Sequence, residues 1–298
     1  MQRLLARQRR GGGQWVHLQK LFGADMRRRK GWLKHHRLLA FFVLAYTISW
    51  ASWPVYAAGL MPRMRFLSVG PLAAAVIVIA LAEGRPGFRA WGRRLVRWRV
   101  GWVWYAVAIL LPVVFVLVAG FITMALGAPA PGFAQLTWTG LLTVFAVRLV
   151  NPLDGALGEE PGFRGYALPL LQASRPPLLS AAILGVLVTL WHLPLVLFMG
   201  LSPIGLPTTF AITFLYVWLF NRTGGSVLLT LLFHNSQGTF TMGSLGFTAA
   251  DGGRAELIYF LVVVLAVLAT VVLDRQAWRT APRSATAVGR FPLGMRPM

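Results

Sequence analysis

The sequence predicts an all-α fold, in the form of a polytopic membrane protein with about eight transmembrane helices. Hydrophobic residues make up 57% of the 298 residues and charged residues only 12%, which is about half the charge of a typical soluble domain. Several apolar stretches approach or exceed the roughly 20 residues that a helix needs to cross a bilayer. Basic residues lie in the loops beside these stretches, as expected for loops on the two sides of a membrane.

The composition also excludes several classes of function. The net charge is +21, but Lys and Arg flank the apolar segments instead of gathering in one soluble domain, so we expect no nucleic-acid partner. The chain contains no cysteine, which excludes disulfides, thiol catalysis and zinc–thiolate sites. The lipid bilayer is therefore an expected partner, in addition to any substrate.

The apolar pattern divides the chain into three parts. Residues 1–37 are predicted to form a basic cytoplasmic tail, residues 38–274 a transmembrane helical domain, and residues 275–298 a disordered tail. The first apolar run is too long for a signal-peptide core, so it is expected to remain as a helix. The predicted spans cover residues 38–60, 66–82, 103–126, 137–158, 178–199, 204–220, 226–245 and 257–273.

The distribution of basic residues predicts which loops face the cytoplasm. Of the 29 Lys and Arg residues, 25 lie in the two tails and in every second loop, around residues 83–101, 159–177 and 221–225. The intervening loops carry only three, which are Arg63, Arg65 and Arg254. By the positive-inside rule, both termini are then cytoplasmic.

Ionisable side chains inside or beside the spans are candidates for a functional site, because an uncompensated charge at mid-bilayer costs at least about 2.5–3.5 kcal/mol. These candidates are Arg148, Asp154, Glu159, Glu160, Arg164, His192 and His234. A single buried histidine is more often structural than catalytic. Two histidines and a pair of glutamates on three separate spans favour a functional interpretation.

The adjacent glutamates in "LGEEPGFRG" are expected to point in different directions. Neighbouring residues on a helix are about 100° apart, so Glu159 and Glu160 cannot both face one cavity. Glu160 and Arg164 share a helix face, where an ion pair would neutralise one acid. Pro161 disfavours helical geometry at the preceding residue, and irregular backbone is tolerated where it lines a wet cavity. Glu159 is then suited to act as a general base, and a purely structural Glu–Arg clamp is the alternative.

The order of these residues resembles the CPBP family of intramembrane endopeptidases. This family is related to the type II CAAX prenyl protease and to bacteriocin-processing and immunity proteins. The resemblance rests on E-E-x-x-x-R at Glu159, Glu160 and Arg164, followed by His192 in "WHLP" and His234 in "NRTGGSVLLTLLFH". It covers roughly residues 100–245.

The resemblance implies eight helices around a polar, cytoplasm-facing cavity in a bacterial-type cell membrane. Glu159 would activate a water that attacks a peptide bond of a membrane-tethered protein or peptide, with Glu160 and Arg164 in support. His192 and His234 would position the water and stabilise the oxyanion. No cofactor is implied for a glutamate-activated water. If the reaction depends on a metal, Glu159, His192 and His234 would be the zinc ligands.

Two positions depart from the family's motifs. The second motif is F-x-x-x-H, but position 188 is Val, and the third is H-x-x-x-N or H-x-x-x-D, but position 238 is Gly. Gln237 carries a carboxamide beside the missing group and is a candidate for oxyanion support, with Asn235 as a weaker one. Three hypotheses stay open: an intramembrane endopeptidase, a non-catalytic peptide-binding or immunity-type protein of the same fold, and a proton-coupled transporter.

Overall fold

Every regular element in the described part of the chain is helical. The computed structural model describes residues 32–63, 65–130 and 137–282. Most of the predicted N-terminal tail (residues 1–31) and the end of the C-terminal tail (residues 283–298) lie outside these ranges. The helices are α1 (Arg37–Ser49), α2 (Trp53–Ala57), α3 (Gly70–Val78), α4 (Gly84–Leu95), α5 (Trp102–Ala125), α6 (Trp138–Val150), α7 (Ala156–Gly162), α8 (Leu168–Gln172), α9 (Pro177–Trp191), α10 (Leu193–Phe198), α11 (Gly205–Arg222), α12 (Val227–Thr239), α13 (Ala249–Leu273) and α14 (Arg275–Arg279).

Three further turns connect these helices. A π-helical turn, Ile79–Glu83, joins α3 to α4, and a second one, Phe163–Ala167, joins α7 to α8. A 3₁₀ turn, Met242–Leu245, follows α12. Because the π turns continue the helices on either side, α3 with α4 and α7 with α8 each form one long, locally widened helix.

Within the described residues, four helical segments are long and apolar enough to cross a membrane: Gly70–Leu95, Trp102–Ala125, Pro177–Phe198 and Ala250–Leu273. Their outer faces carry large exposed apolar side chains, such as Phe121 on α5 and Leu265 on α13. Such apolar faces suit contact with lipid, because the bilayer core holds no water that could form hydrogen bonds with polar groups. These segments support a helical membrane fold. That the chain crosses the membrane eight times stays a prediction.

The predicted boundary at residue 158, between the span 137–158 and the loop 159–177, is wrong. Helix α6 ends at Val150, and the chain then turns through Gly155, whose φ of +71° favours glycine. The following residues do not form a basic loop, because 156–172 run as a helix through the core. Arg164, which the charge count places in the cytoplasm, is only 2% exposed.

The predicted disordered tail also begins too early. Residues 275–279 form α14, whose Ala277 and Trp278 are buried. The side-chain amide of Asn221 donates to the Ala277 carbonyl over 3.1 Å. The folded part of the chain therefore extends beyond residue 274, because Trp278 completes the core beside α9 and α11.

Helix α7 lies at the centre of the fold because glycines bring it very close to its neighbours. It packs against α3 and α12. A methyl group on Gly158 would lie 2.6 Å from the Ser68 carbonyl oxygen, and one on Gly162 would lie 2.5 Å from the Pro71 carbonyl carbon. Small residues allow such close backbone approach between membrane helices. This packing buries both glutamates of α7 inside the bundle.

The predicted orientation can be tested because the chain has no cysteine. We expect Ala130→Cys, which is exposed after α5, to react with a membrane-impermeant maleimide added to intact cells. Ala173→Cys, which is exposed after α8, is the matched control and is expected to react only after lysis. The opposite labelling pattern would place both termini outside the cytoplasm and would contradict the positive-inside assignment.

Candidate active site

Glu159 lies at a small polar cavity between α7, α9, α11 and α12. The cavity has a volume of about 60 Å³ and is lined by Glu159, Arg164, His192, His234 and Gln237 among the residues that the sequence singles out. A single water needs only about 10–15 Å³, so the cavity can hold water beside the carboxylate. Glu160 does not line it, in agreement with the expected divergence of the two glutamates.

Glu160 is itself fully buried and forms the centre of a polar cluster. Its Oε1 atom accepts a hydrogen bond from Arg164 Nη1 over 2.8 Å and another from His234 Nδ1 over 2.9 Å. The predicted Glu160–Arg164 pair is therefore present in the structure. Arg164 also stacks over the Tyr216 ring, with Cζ 4.0 Å from the ring centroid, which holds the guanidinium in place.

His192 faces Glu159 across the cavity. Its Nδ1 lies 2.8 Å from the Val188 carbonyl oxygen, so Nδ1 carries the proton and the lone pair of the neutral ring lies on Nε2. Nε2 is 4.0 Å from Glu159 Oε2. This separation is too long for a direct hydrogen bond and allows one water to contact both atoms.

The two predicted candidates for oxyanion support lie in different surroundings. Gln237 lines the cavity, and its Oε1 accepts a hydrogen bond from the Tyr216 hydroxyl over 2.6 Å. Its amide nitrogen is therefore the end left to donate. Asn235 is fully buried instead, and its Nδ2 donates to the Phe145 carbonyl over 2.9 Å. This contact holds α12 against α6 and does not reach the cavity.

Sequence reasoning missed the contribution of α11. Thr209, Thr213 and Tyr216 all line the cavity. These residues are spaced by four and three positions, so they lie on one face of the helix. That polar stripe on an otherwise apolar span was the available signal, and Tyr216 is its main member because it contacts both Arg164 and Gln237.

Two side chains from α4 stabilise the widened helix that carries the glutamates. Trp91 Nε1 donates to the Pro161 carbonyl over 2.8 Å, and Arg94 Nε donates to the Gly165 carbonyl over 2.9 Å. A proline and a π turn disturb the normal hydrogen-bond ladder of a helix. These donors therefore satisfy backbone carbonyls that would otherwise be buried without partners.

The cavity lies toward the end of the bundle opposite the basic loops. His192 directly follows α9, and Gln237 lies two residues before the end of α12. The basic loops meet at the other end, where Arg97 Nε donates to the Thr223 carbonyl over 3.1 Å. If the termini and the basic loops are cytoplasmic, the cavity lies toward the opposite side of the membrane. The expectation of cytoplasmic termini and that of a cytoplasm-facing cavity therefore cannot both hold in this arrangement.

A zinc site at Glu159, His192 and His234 does not fit the side-chain geometry. Within residues 32–63, 65–130 and 137–282, no three His, Asp or Glu side chains converge closely enough to hold a metal ion. The guanidinium of Arg148 faces the same gap as His234 Nε2 and would repel a second cation there.

Comparison with known protein families supports the resemblance found in the sequence. Residues 137–239 match the family model described as type II CAAX prenyl endopeptidase, Rce1-like. The matched segment runs from the start of α6 to the end of α12, and it contains all of the predicted site residues. Among curated proteins, none matches the chain.

Proposed function

We propose that this chain, a member of the Rce1-like family of CAAX protease-type hydrolases, is an intramembrane endopeptidase in which Glu159 activates water. The substrate would be a membrane-tethered protein or peptide. The observation that carries the proposal is the 4.0 Å gap between Glu159 Oε2 and His192 Nε2 at the wall of a small polar cavity. Family membership supports the class of reaction, and the cavity supports the choice of residues.

The gap between Glu159 and His192 suits a nucleophilic water because both facing atoms accept hydrogen bonds. A water between them would donate one hydrogen to the carboxylate and the other to the imidazole. Its lone pair would then be directed away from both groups, toward the space where a peptide carbonyl can enter. Such orientation of a nucleophile beside its base supplies part of the lowering of the barrier.

The proposed reaction transfers one proton to Glu159 and later returns it. Attack forms a bond between the water oxygen and the carbonyl carbon, a water proton passes to Glu159, and the carbonyl π electrons become an oxyanion. When the oxyanion collapses, the carbonyl reforms and the C–N bond breaks. Glu159 then gives its proton to the leaving nitrogen, so the products are a carboxylic acid and an amine.

The other predicted residues take supporting roles in this proposal. Glu160 and Arg164 neutralise each other and fix the helix that carries Glu159. His234 donates from Nδ1 to Glu160, which fixes its ring at the cavity. The free amide nitrogen of Gln237 is placed to donate to the substrate or to the oxyanion.

A cleavage assay with purified protein tests the proposed function. The full chain would be reconstituted in liposomes with a library of membrane-tethered peptides, and products would be identified by mass spectrometry. We expect cleavage that persists in the presence of a chelator such as EDTA. Binding of peptides without any cleavage would favour the non-catalytic alternative, and loss of cleavage with the chelator, restored by zinc, would contradict a metal-free mechanism.

A further inference from the structure

The space beside Gly238 is filled by the side chain of Arg148. A methyl group on Gly238 would overlap Arg148 Nη2 and would lie 2.6 Å from Arg148 Cζ. Arg148 comes from α6 and reaches across to α12, where the family's third motif has Asn or Asp. The glycine therefore does more than allow close helix packing, because it makes room for a guanidinium in the place of a polar side chain.

The Arg148 guanidinium is held in this position from one side only. Nη1 donates to Asp154 Oδ1 over 2.8 Å, while Nε is buried without a hydrogen-bond partner. The guanidinium carries a fixed positive charge and only donors. A buried donor without a partner is destabilising, so a ligand that brings negative charge would be favoured beside this guanidinium.

Arg148 Nη2 faces the catalytic groups across Gly155. A methyl group on Gly155 would lie 3.0 Å from Arg148 Nη2, 3.4 Å from His234 Nε2 and 4.0 Å from Glu159 Oε1. These three atoms from three helices therefore converge on one point beside the cavity. Gly155 leaves this point free of any side chain.

Arg148 adds to the site a donor that carries a fixed positive charge. Nδ1 of His234 is already engaged by Glu160, and Nδ1 of His192 by the Val188 carbonyl. The Arg148 guanidinium carries only donors, so it can stabilise a developing negative oxygen. A fixed donor at the oxyanion is worth about 10²–10³ in rate.

We propose that Arg148 stabilises the oxyanion of the tetrahedral intermediate, taking the place of the polar side chain that is missing at position 238. The guanidinium donates to the negative oxygen while the carbonyl carbon is bonded to the water oxygen, and it loses this contact when the C–N bond breaks. This inference rests on the proposed function, since it assigns a second reacting group to the same site.

A set of variants at positions 148 and 238 tests this role. In the liposome assay, Arg148→Ala is expected to lower kcat by about 10²–10³ with little change in KM, because the contact forms only in the intermediate. Gly238→Asn alone is also expected to lower kcat, because its side chain collides with the guanidinium. The kcat of the double variant Arg148→Ala/Gly238→Asn is expected to be at least tenfold higher than that of Arg148→Ala, since the carboxamide then occupies the vacated space.

Three controls separate this role from a structural one. Arg254→Ala, a matched change at an ion pair remote from the cavity, is expected to keep wild-type kcat. Asp154→Ala removes the carboxylate that holds the guanidinium but keeps the positive charge, so it is expected to lower kcat by no more than Arg148→Ala does. Arg148→Gln keeps a neutral donor, so its kcat is expected to lie between those of the wild type and of Arg148→Ala. Its thermal midpoint is expected to be unchanged.

The outcomes distinguish this inference from the proposed function. If Glu159→Gln abolishes cleavage while Arg148→Ala and Arg148→Gln both keep wild-type kcat, Arg148 is not the oxyanion donor and the function stands. Full activity in Gly238→Asn, or a larger loss of kcat in Asp154→Ala than in Arg148→Ala, would also overturn it. A wild-type chain that cleaves no peptide overturns both proposals together.

Discussion

Glu159→Gln is expected to lower the kcat of peptide cleavage by about 10²–10⁴-fold. The amide keeps the shape of the carboxylate and can still hold a water, but it cannot accept the water's proton. Its KM is expected to change little, because Glu159 contacts the nucleophile and not the bound peptide. The measurement is single-turnover cleavage in liposomes of the peptide that the wild-type chain cleaves fastest.

The matched control for this change is Asp251→Asn, which removes a carboxylate in the first turn of α13. This variant is expected to cleave at the wild-type rate. Glu159→Gln is also expected to unfold at the wild-type temperature, since the 4.0 Å contact of Glu159 with His192 is too long for a hydrogen bond. Cleavage by Glu159→Gln at the wild-type rate would remove Glu159 as the base and, with it, the proposed mechanism.

Arg164→Ala is expected to destabilise the fold by about 3–5 kcal/mol, because it leaves a buried charge on Glu160 without its main partner. Glu160 is fully buried, and its Oε2 atom already lacks a hydrogen-bond partner. The variant also removes the guanidinium from the Tyr216 ring. The measurement is the thermal midpoint in one detergent, followed by tryptophan fluorescence.

Two variants show whether this cost comes from the stranded charge. The double variant Glu160→Gln/Arg164→Met removes both charges and is expected to be more stable than Arg164→Ala. Arg254→Ala breaks an ion pair that is partly exposed on both sides and is expected to cost no more than about 1 kcal/mol. If Arg164→Ala lowers the thermal midpoint no more than Arg254→Ala does, the ion pair between Arg164 and Glu160 does not stabilise the fold.

Local patterns in the sequence predicted several features of the candidate site. Glu160 and Arg164 are one helical turn apart, so their ion pair follows from helix geometry alone. The two histidines were singled out because ionisable groups are costly inside apolar spans. The helical membrane class follows from composition and from the length of the apolar segments.

The path of residues 156–172 could not be predicted from the same patterns. Pro161, three glycines and Arg164 fit a basic loop as well as they fit a widened helix. The helix forms because Trp91 and Arg94 from α4 satisfy its carbonyls, and these donors lie about 70 residues earlier in the chain. The role of Gly238 could not be predicted either, because the space beside it is filled by Arg148 of another helix.

The sequence by itself thus determined the helical membrane class, the resemblance to one family and the residue types of the candidate site. Only the tertiary structure decided which of these residues meet: His192 with Glu159, His234 with Glu160, and Arg148 with the space beside Gly238. The physical reason is that helix periodicity and hydropathy act over a few turns. Contacts between helices depend instead on how closely the backbones approach, and here glycines such as Gly158 and Gly162 set that distance.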